Sequence, residues 1–255
     1  MTNSDVIEIA MAQSAIDSNC RKDDFKSNEN KVVISAKNSD ARRYLELPFY
    51  CDLTSYGNNI VASVSDELAE TVSSYICKYS YIHCFETPNL IVLQEKLKPF
   101  DLNVCFMAEY FLPDMDIIQN IPCKYTMKIL EQKDFSDLYR PEWSNALCEK
   151  RKELDVLGVA AFDGDKMIGF AACSADCETM WQIGIDVLPE YRRKGIASSL
   201  TSTLAAEVIK RGKVPFYCSA WSNIRSVKNA IRSGFRPAWV QVTAKKNSMI
   251  SDMNK

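Results

Sequence analysis

The stretch YRRKGIASSL, residues 191–200, concentrates the residue types that bind phosphate. Its three cations, residues 192–194, directly precede Gly195, and the apolar spacing from 195 to 211 predicts a helix that begins at this glycine. The first amides of a helix have no partner inside it and carry the positive end of its dipole, so they favour a bound phosphate. Glycine lets the backbone approach such a ligand, because it has no side chain to obstruct it.

Two common nucleotide-binding motifs are absent from the chain. No GxxxxGK followed by Ser or Thr occurs, so the sequence does not predict a nucleotide P-loop. No GxGxxG occurs either, so a dinucleotide-binding fold has no support. The basic cluster therefore indicates a different phosphorylated ligand.

The cluster and its context resemble the acetyl-CoA signature of the GNAT superfamily of N-acetyltransferases, Gln/Arg-x-x-Gly-x-Gly/Ala. A strand ending in Val187-Leu188-Pro189 precedes it, as in the family. Downstream, WSNIRSVKNAIRSGFRP is similar to the second family motif, in which an asparagine, here Asn223, opens a helix that ends in Gly-Phe. The order of elements predicted from 124 to 243 also resembles the family fold.

The resemblance implies that acetyl-CoA is the acyl donor and that the amides of Arg193 to Ser198 cradle its pyrophosphate. The backbone of Ile185 to Val187 would pair with the pantetheine arm, as an added strand pairs with a sheet edge. The strands carrying GIDV and PFYCSA would separate to admit that arm, with a bulge at Gly184. Asn223 would contact the cofactor, or it or Ser222 would simply cap the helix. The predicted cofactor-binding residues are Ile185, Asp186, Val187, Arg192, Arg193, Lys194, Gly195, Ile196, Ala197, Ser198 and Asn223.

Two proton-transfer groups are missing from their usual family positions. The tyrosine that protonates the departing thiolate in many members falls on Ala230, and the carboxylate that deprotonates the amine falls near Trp181. Acetyl transfer still requires a neutral amine and a stabilised thiolate. We therefore expect Glu178 and Tyr217 to be the catalytic residues.

Each substitute also has a plainer structural interpretation. Asp176 and Glu178 lie in SADCET, which is typical of an exposed turn. Tyr217 fits a half-buried strand aromatic, and Cys218 fits a small core residue, because the chain has a single histidine to pair with a thiol. Asp176, Cys218 or a relaying water remain alternatives for proton transfer.

Composition excludes several function classes. The net charge of −2 argues against nucleic-acid binding, and no apolar run is long enough to span a membrane. The ten cysteines form no CxxC pair, so we expect no metal site. Scattered thiols without an export signal predict a cytoplasmic protein.

The pattern of elements predicts two domains in the chain of 255 residues. Residues 123–255 would form a GNAT-like α/β (α+β) domain, a mixed and mostly antiparallel sheet flanked by helices. Residues 1–122 would form a second α/β domain, which could be a degenerate GNAT-like copy that shapes the acceptor site or an interface. The boundary is placed where LPDMD ends one strand-like run and KYTMKIL begins the next.

The resulting prediction is an enzyme that moves an acetyl or other acyl group from coenzyme A to a primary amine, by direct transfer in a ternary complex. The acceptor would be a small molecule or a peptide, and a homodimer remains open. A non-catalytic acyl-CoA sensor or interaction module is the alternative, because both usual proton-transfer groups are absent from their positions.

Overall fold

The computed structural model describes residues 1–254, which form two compact units. Unit 1 comprises Met1–Ala10 and Phe111–Pro237, and unit 2 comprises Met11–Tyr110 and residues 238–254. This division differs from the boundary predicted after residue 122. The segment that begins at Phe111 belongs to unit 1 because Phe111 is fully buried in its hydrophobic core. The chain's last strand returns to unit 2, where Val242 and Ala244 are buried.

Residues 1–254 contain six α-helices and ten strands. The helices are α1 (Asn3–Ser18), α2 (Ala69–Lys78), α3 (Thr87–Leu97), α4 (Ile196–Lys210), α5 (Ile224–Arg232) and α6 (Asn247–Met253). The strands are β1 (Lys31–Ile34), β2 (Cys51–Ser55), β3 (Val61–Val64), β4 (Leu102–Pro113), β5 (Thr126–Glu131), β6 (Asp155–Asp163), β7 (Lys166–Ser174), β8 (Met180–Val187), β9 (Val214–Ala220) and β10 (Phe235–Lys246).

Unit 1 contains a sheet with the strand order β9-β8-β7-β6-β5. Strands β5 to β8 pair antiparallel with their neighbours, and β8 pairs parallel with β9. Helix α4 packs one face of the sheet, where Leu200, Leu204 and Val208 are fully buried. The other face is covered by the segment that precedes β6, through Trp143 and Leu147. The prediction of a mixed, mostly antiparallel sheet flanked by helices is confirmed.

Unit 2 is also an α/β arrangement. Its strands follow the order β1-β3-β2-β10-β4, with β1 and β3 parallel and β2 antiparallel to both β3 and β10. Leu68, Val72 and Ile76 recur at a spacing of four residues, which predicts one helical face, and all three are buried in its core. No helix among residues 1–254 is long and apolar enough to cross a membrane.

The segment between β5 and β6 differs from its prediction. Its sequence predicts helical patches from Asp134 to Tyr139 and around residues 144–152. The segment instead contains short 3₁₀ turns at Gln132–Asp134, Pro141–Trp143 and Glu149–Leu154. Single turns place Trp143 and Leu147 against the sheet without the regular hydrogen-bond ladder of an α-helix.

Candidate active site

A cavity of about 990 Å³ lies in unit 1 beside the gap between β8 and β9. The two strands pair only where Met180 to Gln182 oppose Val214 to Phe216. Beyond Gln182 no residue of β8 pairs with β9 among residues 1–254, so the predicted separation of these strands is confirmed. Both strands line the cavity beyond that point, β8 with residues 182–187 and β9 with residues 217–220.

Every second residue of β8 directs its backbone amide and carbonyl toward this gap. The Leu188 amide donates to the Ile168 carbonyl on β7 at 3.0 Å. Because backbone groups alternate in direction along a strand, those of Val187 and Ile185 point away from β7. Asp186 pairs with Phe170 of β7, so its backbone does not offer the contact that was predicted for it.

Two loop residues before α4 have left-handed backbone conformations. Arg193 has φ +61° and Gly195 has φ +82°, and helix α4 begins at Ile196 without a side-chain cap. The six amides from Arg193 to Ser198 donate no hydrogen bond to any group in residues 1–254. A methyl group added at Gly195 would meet no atom within 4 Å. The loop therefore presents a row of free donors beside open space, which suits a pyrophosphate.

The three cations of the loop have different positions. Arg192 and Arg193 line the cavity, and the Arg192 Nε atom donates to the Val187 carbonyl at 2.9 Å. The Val187 carbonyl is thus already engaged by this side chain. Lys194 does not line the cavity, and its Nζ atom donates to the Glu190 carbonyl at 3.0 Å while lying 4.8 Å from the Tyr191 ring centre. Its side chain therefore does not join the predicted cofactor-binding group.

Asn223 lines the cavity and caps α5, because its side-chain oxygen accepts a hydrogen bond from the Ser226 amide at 3.2 Å. The cap that the sequence offered as one interpretation is therefore present. Ile185, Ile196, Ala197 and Ser198 also line the cavity.

The Asp186 carboxylate holds the segment that covers the sheet. It accepts hydrogen bonds from the Asn145 amide at 2.9 Å, the Asn145 side chain at 2.7 Å and the Ala146 amide at 3.0 Å. Gly184 allows this close approach, since a methyl group there would overlap the Asn145 carbonyl oxygen. The predicted bulge at Gly184 is wrong, because β7 and β8 pair without a register shift.

The two predicted catalytic residues lie in different places. Tyr217 lines the cavity, and its hydroxyl lies 2.7 Å from the Ser226 hydroxyl. Burial raises the pKa of the Tyr217 phenol, so it is protonated at neutral pH. Glu178 is exposed in the turn before β8 and is not among the cavity-lining residues.

The alternative proton-transfer residues, Asp176 and Cys218, also lie in different environments. Asp176 is fully buried and forms an ion pair with Arg151, so it does not lie in an exposed turn. Cys218 lines the cavity, where the Gln182 side-chain nitrogen lies 2.9 Å from its sulfur. Ala230 is buried in the core and Trp181 packs against it, so neither supplies the missing proton-transfer group.

A second carboxylate that the sequence did not single out lines the same cavity. Asp155 opens β6, with 1% of its surface exposed, and lies opposite Ser174 of β7. Burial raises the pKa of Asp155 to about 6. The sequence gives no local signal for Asp155, because its neighbour Ser174 is distant in the chain and is brought beside it by the pairing of β6 with β7. Among residues 1–254, no three His, Cys, Asp or Glu side chains are grouped to hold a metal ion.

Comparisons with solved structures give partial matches. A GNAT-family acetyltransferase from Novosphingobium aromaticivorans is 18% identical, with 56% of this chain and 66% of that chain covered and a TM-score of 0.42. A GCN5-related N-acetyltransferase-like protein from Streptococcus suis is 16% identical over 63% and 69% of the two chains, with a TM-score of 0.44. A GCN5-related N-acetyltransferase from Kribbella flavida is 14% identical over 61% and 63%, with a TM-score of 0.47. The chain spans only part of each of these proteins.

No curated protein sequence matches the chain. The GNAT acetyltransferase family model matches residues 58–238. The match begins well before residue 123, so the family pattern extends further toward the amino terminus than the sequence motifs indicated. Because it covers more than half of the chain, and because it contains the free-amide loop and the separated strands, the protein belongs to the GNAT acetyltransferase family.

Proposed function

We propose that the protein transfers an acetyl or another short acyl group from coenzyme A to a primary amine, with both substrates bound together. The observation that carries this proposal is the row of six amides from Arg193 to Ser198, which are free of hydrogen bonds within residues 1–254. They lie beside a cavity that also borders the gap between β8 and β9. Hydrogen-bond donors for a phosphate, next to a gap between two strands that can hold an extended chain, together fit a phosphorylated carrier with a long arm.

The residues present would divide the binding of acetyl-CoA between them. The amides of Arg193 to Ser198 and the side chains of Arg192 and Arg193 would hold the pyrophosphate. The backbone of Ile185 and the amide of Val187 would pair with the pantetheine arm. Acetyl-CoA would supply the acyl group as a thioester that a neutral amine can attack.

Tyr217 is the residue that we propose as the acid. Its phenol is protonated at neutral pH and borders the gap that would receive the thiolate. A protonated phenol within reach of a departing thiolate can donate a proton to it. Ser226 would orient the phenol through the contact between the two hydroxyls.

Calorimetric titration with acetyl-CoA tests the site directly. Gly195→Glu places a side chain and a negative charge in the free-amide loop, and we expect saturable binding to weaken at least 100-fold. Gly212→Glu is the matched control. Gly212 has a similar φ of +74° and also has no atom within 4 Å of an added methyl, but it lies at the end of α4 outside the cavity. Equal loss in both variants would show that the effect is backbone strain.

Turnover distinguishes an enzyme from a non-catalytic sensor. Thiol release from acetyl-CoA would be followed with 1,4-diaminobutane, ethanolamine and a peptide with a free amino terminus. Release that depends on one of these amines supports the proposal. Tight acetyl-CoA binding with no amine-dependent release would favour the sensor, and no binding by the wild type would overturn both.

A further inference from the structure

One end of the cavity is formed by a row of side chains across three strands. Asp155 on β6 pairs with Ser174 on β7, and Ser174 pairs with Gln182 on β8. Residues directly opposite each other in a sheet point to the same face. All three line the cavity together with the covering segment from residue 144 to 148. The row ends at Gln182, where β8 and β9 begin to separate.

Two polar atoms in this row form no hydrogen bond within residues 1–254: the buried hydroxyl of Ser174 and one carboxylate oxygen of the buried residue Asp155. The Oδ2 atom of Asp155 accepts from the Cys148 amide at 2.9 Å and from the Tyr139 hydroxyl at 3.2 Å, whereas its Oδ1 atom accepts no bond. The Ser174 hydroxyl has no partner, although only 9% of the residue is exposed. Buried polar atoms are rarely left without a partner, so both are suited to accept from a ligand.

The charge at this end of the cavity favours a cation. Asp176 and Arg151 form an ion pair, so their charges largely compensate each other. The titratable groups that act on Asp155 are Tyr139, Cys148, Arg151, Cys173 and Asp176. The Tyr139 phenol and the Cys173 thiol are neutral at pH 7, because burial raises the pKa of both. Two carboxylates line the cavity, Asp155 and Asp186. Asp186 already accepts three hydrogen bonds from Asn145 and Ala146, so Asp155 is the carboxylate with an oxygen left to accept from a ligand.

We infer that Asp155 and Ser174 bind the primary ammonium group of the acceptor, and that Asp155 takes the proton that must leave before the nitrogen can attack. This inference rests on the proposed function and identifies the acceptor class as a cationic primary amine. In the step, one N–H bond of the ammonium breaks and its electron pair stays on nitrogen. The proton forms an O–H bond at Oδ1 of Asp155, and the carboxyl group later releases it to solvent.

The position of the row matches this role. Adjacent strands lie about 4.8 Å apart, so Asp155 is roughly 10 Å across the sheet from Gln182, with Ser174 between them. An amine held between Asp155 and Ser174 would therefore lie next to the gap that receives the thioester. The raised pKa of Asp155, about 6, is close to the range in which a carboxylate exchanges protons efficiently near neutral pH.

The test compares the wild type with Asp155→Asn and Ser174→Ala, using 1,4-diaminobutane as the amine. Asparagine keeps a carbonyl oxygen for the Cys148 and Tyr139 donors, but it cannot take a proton. We expect kcat/KM for the amine to fall at least 100-fold in Asp155→Asn. The acid limb near pH 6 in the wild-type profile should disappear in that variant. In Ser174→Ala we expect mainly a KM for the amine raised about tenfold.

Acetyl-CoA affinity in both variants should stay within about twofold of the wild type, which shows that the site still folds. Asp52→Asn, the same chemical change at a carboxylate in unit 2, should leave kcat/KM unchanged. Turnover with an intact acid limb in Asp155→Asn would overturn this inference while leaving the proposed function in place. No turnover by the wild type with any amine would mean that the proposed function itself fails, and the inference with it.

Discussion

Two carboxylates with the same raised pKa lie in the two units of the chain, and they differ in what their oxygens contact. Burial raises the pKa of both Asp52 in unit 2 and Asp155 in unit 1 to about 6. Both oxygens of Asp52 are engaged, by the side chains of Gln241 at 2.8 Å, Thr243 at 2.7 Å and Thr54 at 3.1 Å. Asp155 has one engaged oxygen and borders the cavity.

Two phenols repeat the comparison. Tyr56 in unit 2 lies 2.8 Å from the Ser14 hydroxyl, and Tyr217 in unit 1 lies 2.7 Å from the Ser226 hydroxyl. Burial raises the pKa of both. Tyr56 packs its ring against Trp239 with ring centres 5.4 Å apart, whereas Tyr217 lines the cavity.

These pairs show that a raised pKa does not by itself identify a functional group. The same burial that prepares an acid or a base for proton transfer also accompanies a purely structural polar contact. What distinguishes Asp155 and Tyr217 is that a ligand in the cavity can reach them. Access and an unused hydrogen-bonding atom therefore carry more functional information than the pKa.

Displacing the segment of residues 144–148 that covers Asp155 should have the largest effect on stability and turnover. In Gly184→Ala the added methyl would overlap the Asn145 carbonyl and displace the segment that Asp186 holds. We expect the free energy of unfolding to fall by about 3 kcal/mol, since backbone rather than a side chain must move. Water would then reach Asp155, lower its pKa toward the ordinary value and reduce turnover with 1,4-diaminobutane at least 100-fold.

Urea unfolding and the pH profile of turnover measure these changes in Gly184→Ala. Gly169→Ala on β7 is the control, because the three atoms nearest to its added methyl belong to side chains, the closest being a Leu200 methyl at 3.0 Å. We expect it to lose less stability than Gly184→Ala. Equal losses in the two variants would contradict the importance of the Asn145 contact.

The pH dependence of the free energy of unfolding should reveal the contribution of Asp52. Its pKa in the folded protein, about 6, is above the ordinary value of 3.8, so the folded state binds the proton more tightly. The contribution of Asp52 to stability is therefore fully present below about pH 4 and is lost as the pH rises through 6. Asp52→Asn removes this loss and keeps an oxygen for Gln241 and Thr243.

We expect the stability of Asp52→Asn relative to the wild type to rise by roughly 2 kcal/mol between pH 4 and pH 7. Urea unfolding at several pH values in this range measures the difference. A difference that does not change with pH would show that Asp52 titrates normally. Asp155→Asn should change stability with the same sign, but only Asp155→Asn should also remove the acid limb of turnover.

The sequence was sufficient to predict features that depend on neighbouring residues. Helix α4 lies within one residue of its predicted bounds, 195 and 211, at each end. The glycine of the free-amide loop was identified because the helix start and the cations are adjacent in the chain. Local spacing contains that information.

Features that depend on contacts between distant segments were missed. Asp155 and Ser174 are close only because β6 and β7 pair in one register, which includes a shift after Asp155. Gly184 was interpreted as a bulge, but its lack of a side chain serves the contact with Asn145, far away in the sequence. Glu178 was chosen for its place near a strand end, and the structure turns that segment to solvent. Strand register and the burial of one segment by another arise only when the chain folds, so neighbouring residues in the sequence do not predict them.

The smallest expected effect concerns the two phenols. Tyr217→Phe removes the proposed proton donor, and we expect kcat with 1,4-diaminobutane to fall about tenfold, because thiolate departure then depends on water. Tyr56→Phe should leave kcat within about twofold and reduce stability by about 1 kcal/mol, the usual cost of one lost hydrogen bond. Stopped-flow measurement of thiol release and urea unfolding check both variants.

Ser226→Ala provides the control for Tyr217, because it removes the hydroxyl partner and leaves the phenol in place. A small drop in Ser226→Ala with a larger one in Tyr217→Phe would indicate that the phenol itself donates the proton. If the two variants lose the same kcat, the phenol only holds α5 against β9, as Tyr56 only holds its neighbours in unit 2. The difference in access between the two phenols would then carry no chemical consequence, and the thiolate would depart with a proton from water.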